Sequence, residues 1–325
     1  MYICKTFYLN RMKKIKINFV DFWDGFNCFD NYFVNILTCY YDVEIDAKPD
    51  YLFYSVFGDN HLEYKNCIKI YYTGENDFPD FNFCDYAIGF QYFTFEDRSF
   101  RYPEYLLYEG YNKLMDKEKT IDKLLSNRKF CNFVYSNSKY AIPLREKFFH
   151  QLSKYKKVDS GGRLLNNVGG PVQNKLDFIK DYKFTIAFEN SSLSGYTTEK
   201  LMEPMVVNSL PIYWGNPNVH LDFNVASIIN LQSFSSFEEA IEEIVRLDND
   251  DDAYLQKLSQ PWLTQDQAEK NWEKELALFL CNIFDQPIEK ARRRTDFGFG
   301  VMKKFREARF SRFLSYSIFR RLLNF

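Results

Sequence analysis

Apolar and polar positions along the chain fall into two successive sets of strand-like and helix-like segments. KIKINFVDFW (14–23) has the apolar density of a buried first strand and ends at an Asp24-Gly25 turn. FDNYFVNILTCYYDV (29–43) spaces its apolar residues as a helix does, and PDYLFYSVFG (49–58) reads as a second strand. CIKIYYTGEN (67–76) is an apolar run ending in a loop, and FCDYAIGFQYF (83–93) is another strand. Residues 111–128 are charged and helical in pattern, as a connector would be. The second set opens with strand KFCNFVYSN (129–137) and helix AIPLREKFFHQLSKY (141–155), with Pro143 in its first turn. A Gly-rich loop (160–170), strand KFTIAFEN (183–190), helix TTEKLMEPMVVN (197–208) and strand LPIYWGNP (210–217) follow. FSSFEEAIEEIVRLD (234–248) is an amphipathic helix with a Ser/Glu start. Strand–helix alternation of this kind predicts open parallel sheets with crossover connections, here two Rossmann-like halves in tandem. No internal repeat is present.

Composition narrows the function. With 46% hydrophobic and 26% charged residues, the 325-residue chain buries a real core. A formal net charge of −2 argues against a general nucleic-acid binder. There is no signal-like apolar run and no stretch of eighteen consecutive apolar residues, which predicts a cytoplasmic protein. The seven cysteines include no C-x-x-C pair, and His61, His150 and His220 have no metal-ligand spacing. Free thiols are therefore expected, and no metal site. The acidic run from Asp248 to Asp252 follows an amphipathic helix and reads as a solvated loop. Residues 1–11 read as an extension preceding Met12. The tail from Ala291 differs: eight Arg and two Lys face Asp296 and Glu307, a net of +8 that leaves −10 for the remainder. Interleaved Phe, Leu and Ile make it a basic amphipathic helix, suited to an anionic membrane surface or to packing on the protein.

FENSSLSGYTTEK (188–200) carries the candidate chemistry. It joins the end of a strand to the start of a helix, the edge of a parallel sheet where ligands bind. Thr197 or Thr198 can cap the helix. Lys200 in the first turn opposes the helix dipole, which makes sense beside an anion such as phosphate. Glu199 is suited to accept hydrogen bonds from sugar hydroxyls. On these residues alone, a nucleotide-sugar site and a plain helix start with a solvated lysine both remain open.

KFTIAFENSSLSGYTTEKLMEPMVVNSLPIYWGNPNV (183–219), YYTGEN with FCDYAIGF (71–76 and 83–90) and the GG-Arg-x-x-Asn-Asn stretch (161–167) stand in one order. Together they resemble the bacterial-type α-1,3/4-fucosyltransferases, over most of residues 14–285. The resemblance implies an inverting GT-B enzyme: two facing Rossmann-like domains with a cleft between them, GDP-fucose on the second. It places an acceptor domain at 1–120, a donor domain at 121–285 and the basic tail at 286–325. By the same resemblance Glu75 is the general base, and Arg145, Asn190, Tyr196, Glu199 and Lys200 bind the donor. Arg145 and Lys200 take the diphosphate and Glu199 the ribose. Glu189, Arg163 and Asn166 shape that pocket. Trp23 either stacks on the acceptor or joins the core. Expected substrates are GDP-fucose and an N-acetyllactosamine-type glycan, giving Lewis-type products with no cofactor and no essential divalent metal. Peripheral association of 291–325 with the cytoplasmic face of the inner membrane is also expected. A different nucleotide sugar, or an inactive glycan- or membrane-binding relative, are the alternatives. Two features depart from the family: Pro204 inside the Lys200 helix, which predicts a kink, and a short connector near 104–128.

Overall fold

The computed structural model describes residues 12–108, 110–115, 128–136, 141–295, 297–303, 305–306 and 309. The chain forms two units. The first comprises residues up to 89, 93–102 and 272 onward; the second comprises 90–92 and 103–271.

The first unit holds β1 (Lys14–Val20), α1 (Tyr32–Leu37), β2 (Asp42–Ile45), β3 (Tyr51–Tyr54), β4 (Ile68–Tyr72), β5 (Tyr86–Gly89) and β6 (Ser99–Arg101). All six strands are parallel, in the order β2-β1-β3-β4-β5-β6. β3, β4 and β5 are buried at every position, as expected for parallel strands covered on both faces. The second unit holds β7 (Lys129–Phe133), α2 (Leu144–Leu152), β8 (Val158–Ser160), α3 (Lys175–Ile179), β9 (Tyr182–Phe188), α4 (Glu199–Val206), β10 (Leu210–Trp214) and β11 (Ile229–Asn230). Its parallel sheet runs β11-β10-β9-β7-β8. Helices α5 (Phe237–Asn249), α6 (Asp251–Leu258) and α7 (Gln265–Glu269) complete it. In each sheet the first strand lies between the second and the third. The switch points therefore fall at β1/β3 and β7/β9, where such sheets bind ligands.

Several expectations need correcting. The short strands β2, β6, β8 and β11 have too few apolar residues to stand out in the pattern. The Asp248–Asp252 run is not a solvated loop: Asp250 caps α6 through the Ala253 N–H at 2.9 Å, and Asp248 pairs with Lys156 at 3.0 Å. The 1–120/121–285 division also differs from the units found. The first unit yields to the second at 102/103, and the chain returns to it at 272 with α8 (Trp272–Asp285) and α9 (Ile288–Ala291). α8 carries Leu276, Leu280 and Phe284 on one face, and the Phe284 ring lies 4.3 Å from Tyr51 of β3. Lys13 donates to the Phe284 carbonyl at the helix's C-terminal end, a favourable place for a cation.

The first bases of the tail belong to this unit. The backbone N–H groups of Arg293 and Arg294 both donate to Asp85 Oδ1 at 2.8 Å. The Arg294 guanidinium pairs with the same buried carboxylate and donates to Cys67 O at 2.9 Å. Arg293 pairs with Asp97. Phe305 packs edge-on to Phe83. Two of the ten basic side chains thus belong to the fold's polar anchor, the packing alternative for this stretch. The rest of the expected basic helix, 310–325, lies outside the described residues, as do 1–11 and most of the 111–128 connector. No described helix is long and apolar enough to cross a membrane.

Candidate active site

The second unit's sheet edge is built by β9 and the helix after it. β9 is fully buried and ends at Phe188. The loop then turns at Gly195, whose φ of +87° and closeness to the Phe90 carbonyl exclude a side chain: a Cβ would lie 2.3 Å from that oxygen. The Gly195 N–H donates to Asn216 Oδ1 at 2.8 Å, and Asn216 also reaches Thr197 Oγ1, so a fully buried amide sets the loop's path. Thr198, extended, caps α4, accepting from the Lys200 N–H. Pro204 inside α4 removes the N–H that would meet the Lys200 carbonyl.

Glu189, expected to line the donor pocket, instead supports this helix start from beneath. It is 1% exposed, and its two oxygens accept the Thr198 N–H and Oγ1–H, both at 2.8 Å. A Cβ on Gly215 would lie 2.4 Å from its Cγ, so the neighbouring strand end is also fitted to it. Lys200 Nζ lies 3.7 Å from Glu189 and 3.2 Å from Glu199. Burial alone would lower the Lys200 pKa, but these two carboxylates outweigh it and raise it well above the usual value. Burial pushes the Glu189 carboxyl up, against the pull of Lys200. For Glu199, burial is outweighed by Lys200 and Lys175, and its carboxyl is held low. The result is a half-buried carboxylate beside a firmly protonated ammonium at a helix N-terminus.

Arg145 of α2 joins the same edge. Its guanidinium lies 3.9 Å from the centre of the Tyr135 ring, and Nη2 donates to Asn190 Oδ1 at 3.0 Å and to the Phe188 and Glu189 carbonyls. Tyr135 is itself fixed, accepting the Phe188 N–H at 2.6 Å. Tyr196 is buried with its ring against Phe90. Arg145, Glu189, Asn190, Glu199 and Lys200 therefore gather at one sheet edge. Asn166 turns inward on its own loop, donating to Gly162 O and accepting from the Gly170 N–H, so its amide serves as a loop staple rather than a pocket wall. Arg163, in that loop, is exposed.

One carboxylate here was not among the candidates. Glu104 Oε2 accepts the Glu199 N–H at 3.3 Å, and Tyr108 donates to Glu203 at 2.7 Å. Lys175 pairs with Glu203. No spacing links Glu104 to residues 95 positions away in sequence, so only the fold reveals it.

Glu75 and Trp23 belong to the first unit. Glu75 follows β4 at the sheet's carboxyl edge with its side chain exposed; its N–H donates to Thr73 Oγ1 at 2.9 Å, and its carbonyl accepts from Asp77 N–H at 2.7 Å. The loop thus fixes the backbone of Glu75. Trp23 is 46% exposed and packs edge-on against Phe22 and Phe26, which corrects the expectation of a core role. Among the described residues, no group of three or more His, Cys, Asp or Glu is arranged to hold a metal ion.

A doubly wound parallel sheet with a cation-bearing helix start beside its switch point is the architecture of nucleotide-binding α/β proteins. Two family models match: the α-(1,3)-fucosyltransferase FucT N-terminal domain over residues 17–108, and the glycosyltransferase family 10 (fucosyltransferase) C-terminal region over 124–297. The chain belongs to glycosyltransferase family 10 (fucosyltransferase). It is 34% identical over 266 residues to the α-(1,3)-fucosyltransferase FucT of Helicobacter pylori, covering 69% of this chain and 54% of that protein. It is 37% identical over 124 residues to GDP-fucose protein O-fucosyltransferase 3 of Xenopus laevis, covering 34% of this chain and 26% of that protein. The chain thus spans about half the length of the first relative and a quarter of the second. The crystal structure of an α1,3-fucosyltransferase with GDP-fucose superposes with a TM-score of 0.73 and 28% identity, covering 87% of this chain and 94% of that one. The two-sheet α/β architecture is that of the GT-B fucosyltransferases.

Proposed function

We propose that the protein is an inverting α-1,3-fucosyltransferase that moves L-fucose from GDP-fucose to the GlcNAc of N-acetyllactosamine-type glycans. The observation that carries this reading is the Lys200–Glu199–Arg145 set at the carboxyl edge of β9. It combines fixed, largely desolvated cations with a carboxylate suited to ribose hydroxyls. The similarity to a protein crystallised with GDP-fucose supports the donor.

In this scheme Glu75 accepts the proton of the acceptor hydroxyl while that oxygen bonds to fucose C1. The bond from C1 to the diphosphate oxygen breaks, and GDP leaves with the electron pair. Arg145 and Lys200 stabilise the charge that develops on the leaving group, an effect for which one donor typically counts ~10²–10³-fold. Glu199 holds the ribose, Asn190 and Tyr196 shape the pocket, and Trp23 stacks on the acceptor. The side-chain cations neutralise the diphosphate, so the scheme does not require a divalent metal. The basic tail places the protein on the cytoplasmic face of an anionic inner membrane; sedimentation with anionic and with neutral vesicles tests that part separately. The central test is GDP release from GDP-fucose, with and without N-acetyllactosamine. Acceptor-dependent release supports the reaction. Release with a protein acceptor or another nucleotide sugar, and none with this pair, replaces it.

A further inference from the structure

Three backbone N–H groups open α4, and the protein already answers each. Thr198 N–H goes to Glu189, Glu199 N–H to Glu104, and Lys200 N–H to Thr198 Oγ1. The positive end of this helix therefore faces two carboxyl groups supplied by the chain. Cations are distributed unevenly among the carboxyls. Lys200 lies between Glu189 and Glu199, and Lys175 pairs with Glu203. Glu104 has no cation within ion-pair distance among the described residues, although it sits against the same helix start. The groups that face it are Glu199 and Lys200 from α4 and Glu189 from the end of β9; Tyr108, four residues on, senses its charge as well.

We propose that Glu104 is a proton-dependent positioning residue for the donor site: neutral, it holds the first turn of α4 and leaves the helix end receptive to a nucleoside diphosphate; ionised, it opposes that ligand. This inference rests on the donor reading above. The chemistry follows from charge. A diphosphate ester brings two negative charges to a helix start that already holds Glu189 and Glu199, with Lys200 between them. A third carboxylate would repel it, whereas a neutral carboxyl still accepts the Glu199 N–H through its carbonyl oxygen. Burial, then the neighbouring Glu199 charge, pushes the Glu104 pKa up to about 8. The sign follows: the group binds its proton below about pH 8, donor binding is strongest there, and binding weakens as pH rises through that value.

The test is calorimetric titration with GDP-fucose at pH 7, 8 and 9, using the wild type, Glu104→Gln and Glu104→Ala. Wild-type Kd is expected to rise by up to about tenfold from pH 7 to pH 9, the most that one coupled proton titrating near pH 8 can give. Gln keeps the size and the acceptor oxygen without titrating, so Glu104→Gln is expected to lose that rise, and Glu104→Ala to lose it too. A purely structural Glu104 would change Kd by the same factor at every pH. Parallel profiles for wild type and variants, or a flat wild-type profile, would overturn the proposal while leaving the donor reading intact. Absence of GDP-fucose binding by the wild type at every pH would sink the donor reading, and this inference with it.

Discussion

The two sheets present the same kind of edge and fill it in opposite ways. At the β7/β9 switch point of the second unit, charged side chains are buried and fixed by one another: Glu189 beneath Thr198, Lys200 between two carboxylates, Arg145 on Tyr135. At the β1/β3 switch point of the first unit, the polar groups close on themselves. Asp21, with φ of +60°, accepts the Asn60 and His61 N–H groups at 2.9 Å and His61 Nδ1 at 2.7 Å, and the His61 ring stacks on Tyr54. Its candidate residue, Glu75, stands one strand further along and in solvent. Under the proposed function, the difference follows from the chemistry asked of each edge. Holding an anion calls for preorganised cations in a poorly solvated place, where field strength is high and reorganisation small. A proton acceptor for an incoming hydroxyl must be reachable, and burial would merely penalise its charged form.

The widest gap between the edges should appear on neutralising Glu75. Glu75→Gln is expected to lower kcat by ~10²–10⁴-fold, the usual range for a general base, with the melting temperature unchanged because the side chain is exposed. An undiminished rate would remove Glu75 from the chemistry. Next comes the anchor of the first unit. Arg294→Met leaves Asp85 buried without its guanidinium, and denaturant unfolding should report a loss of about 3–5 kcal/mol. A loss under about 1 kcal/mol would mean that the backbone N–H groups alone satisfy Asp85.

Lys200→Met should lower kcat by ~10²–10³-fold and, unlike Glu75→Gln, also lower stability, because Glu189 loses its nearest cation. If stability held while activity fell, the lysine would serve the ligand alone. Thr198→Ala removes the α4 cap and one of the bonds to Glu189; about 1–2 kcal/mol is expected from thermal unfolding. At the small end, Trp23→Ala should lower stability by no more than about 1 kcal/mol, since the ring is half in solvent and packs only edge-on against Phe22 and Phe26. A rise in acceptor KM in that variant would then report stacking rather than unfolding, and an unchanged KM would take Trp23 out of the acceptor site.

What could be read from the sequence was what is local. The strand KFTIAFEN, the capping threonine and the Glu199–Lys200 pair lie within eighteen consecutive positions, so period, cap and charge could be read together. The Ser236 start of α5 was legible for the same reason: its hydroxyl accepts the Glu239 N–H, three residues on. Glu189 was legible as part of the site but not as the buried support of a helix, because the Thr198 partner is supplied by a loop whose path depends on Asn216.

Residue pattern was enough for the α/β class, two sheets in tandem, and the junction where β9 hands over to α4, since periodicity and capping act over a few residues. Which distant side chains meet was settled by the folded chain. It brought Arg294 to Asp85 across 209 positions and Glu104 to Glu199 across 95, and it returned α8 to the first sheet. Those contacts depend on burial and on unpaired backbone groups finding acceptors in three dimensions. No spacing along the chain encodes such a meeting, because its free energy exists only once the sheets have formed and water has left the space between the partners.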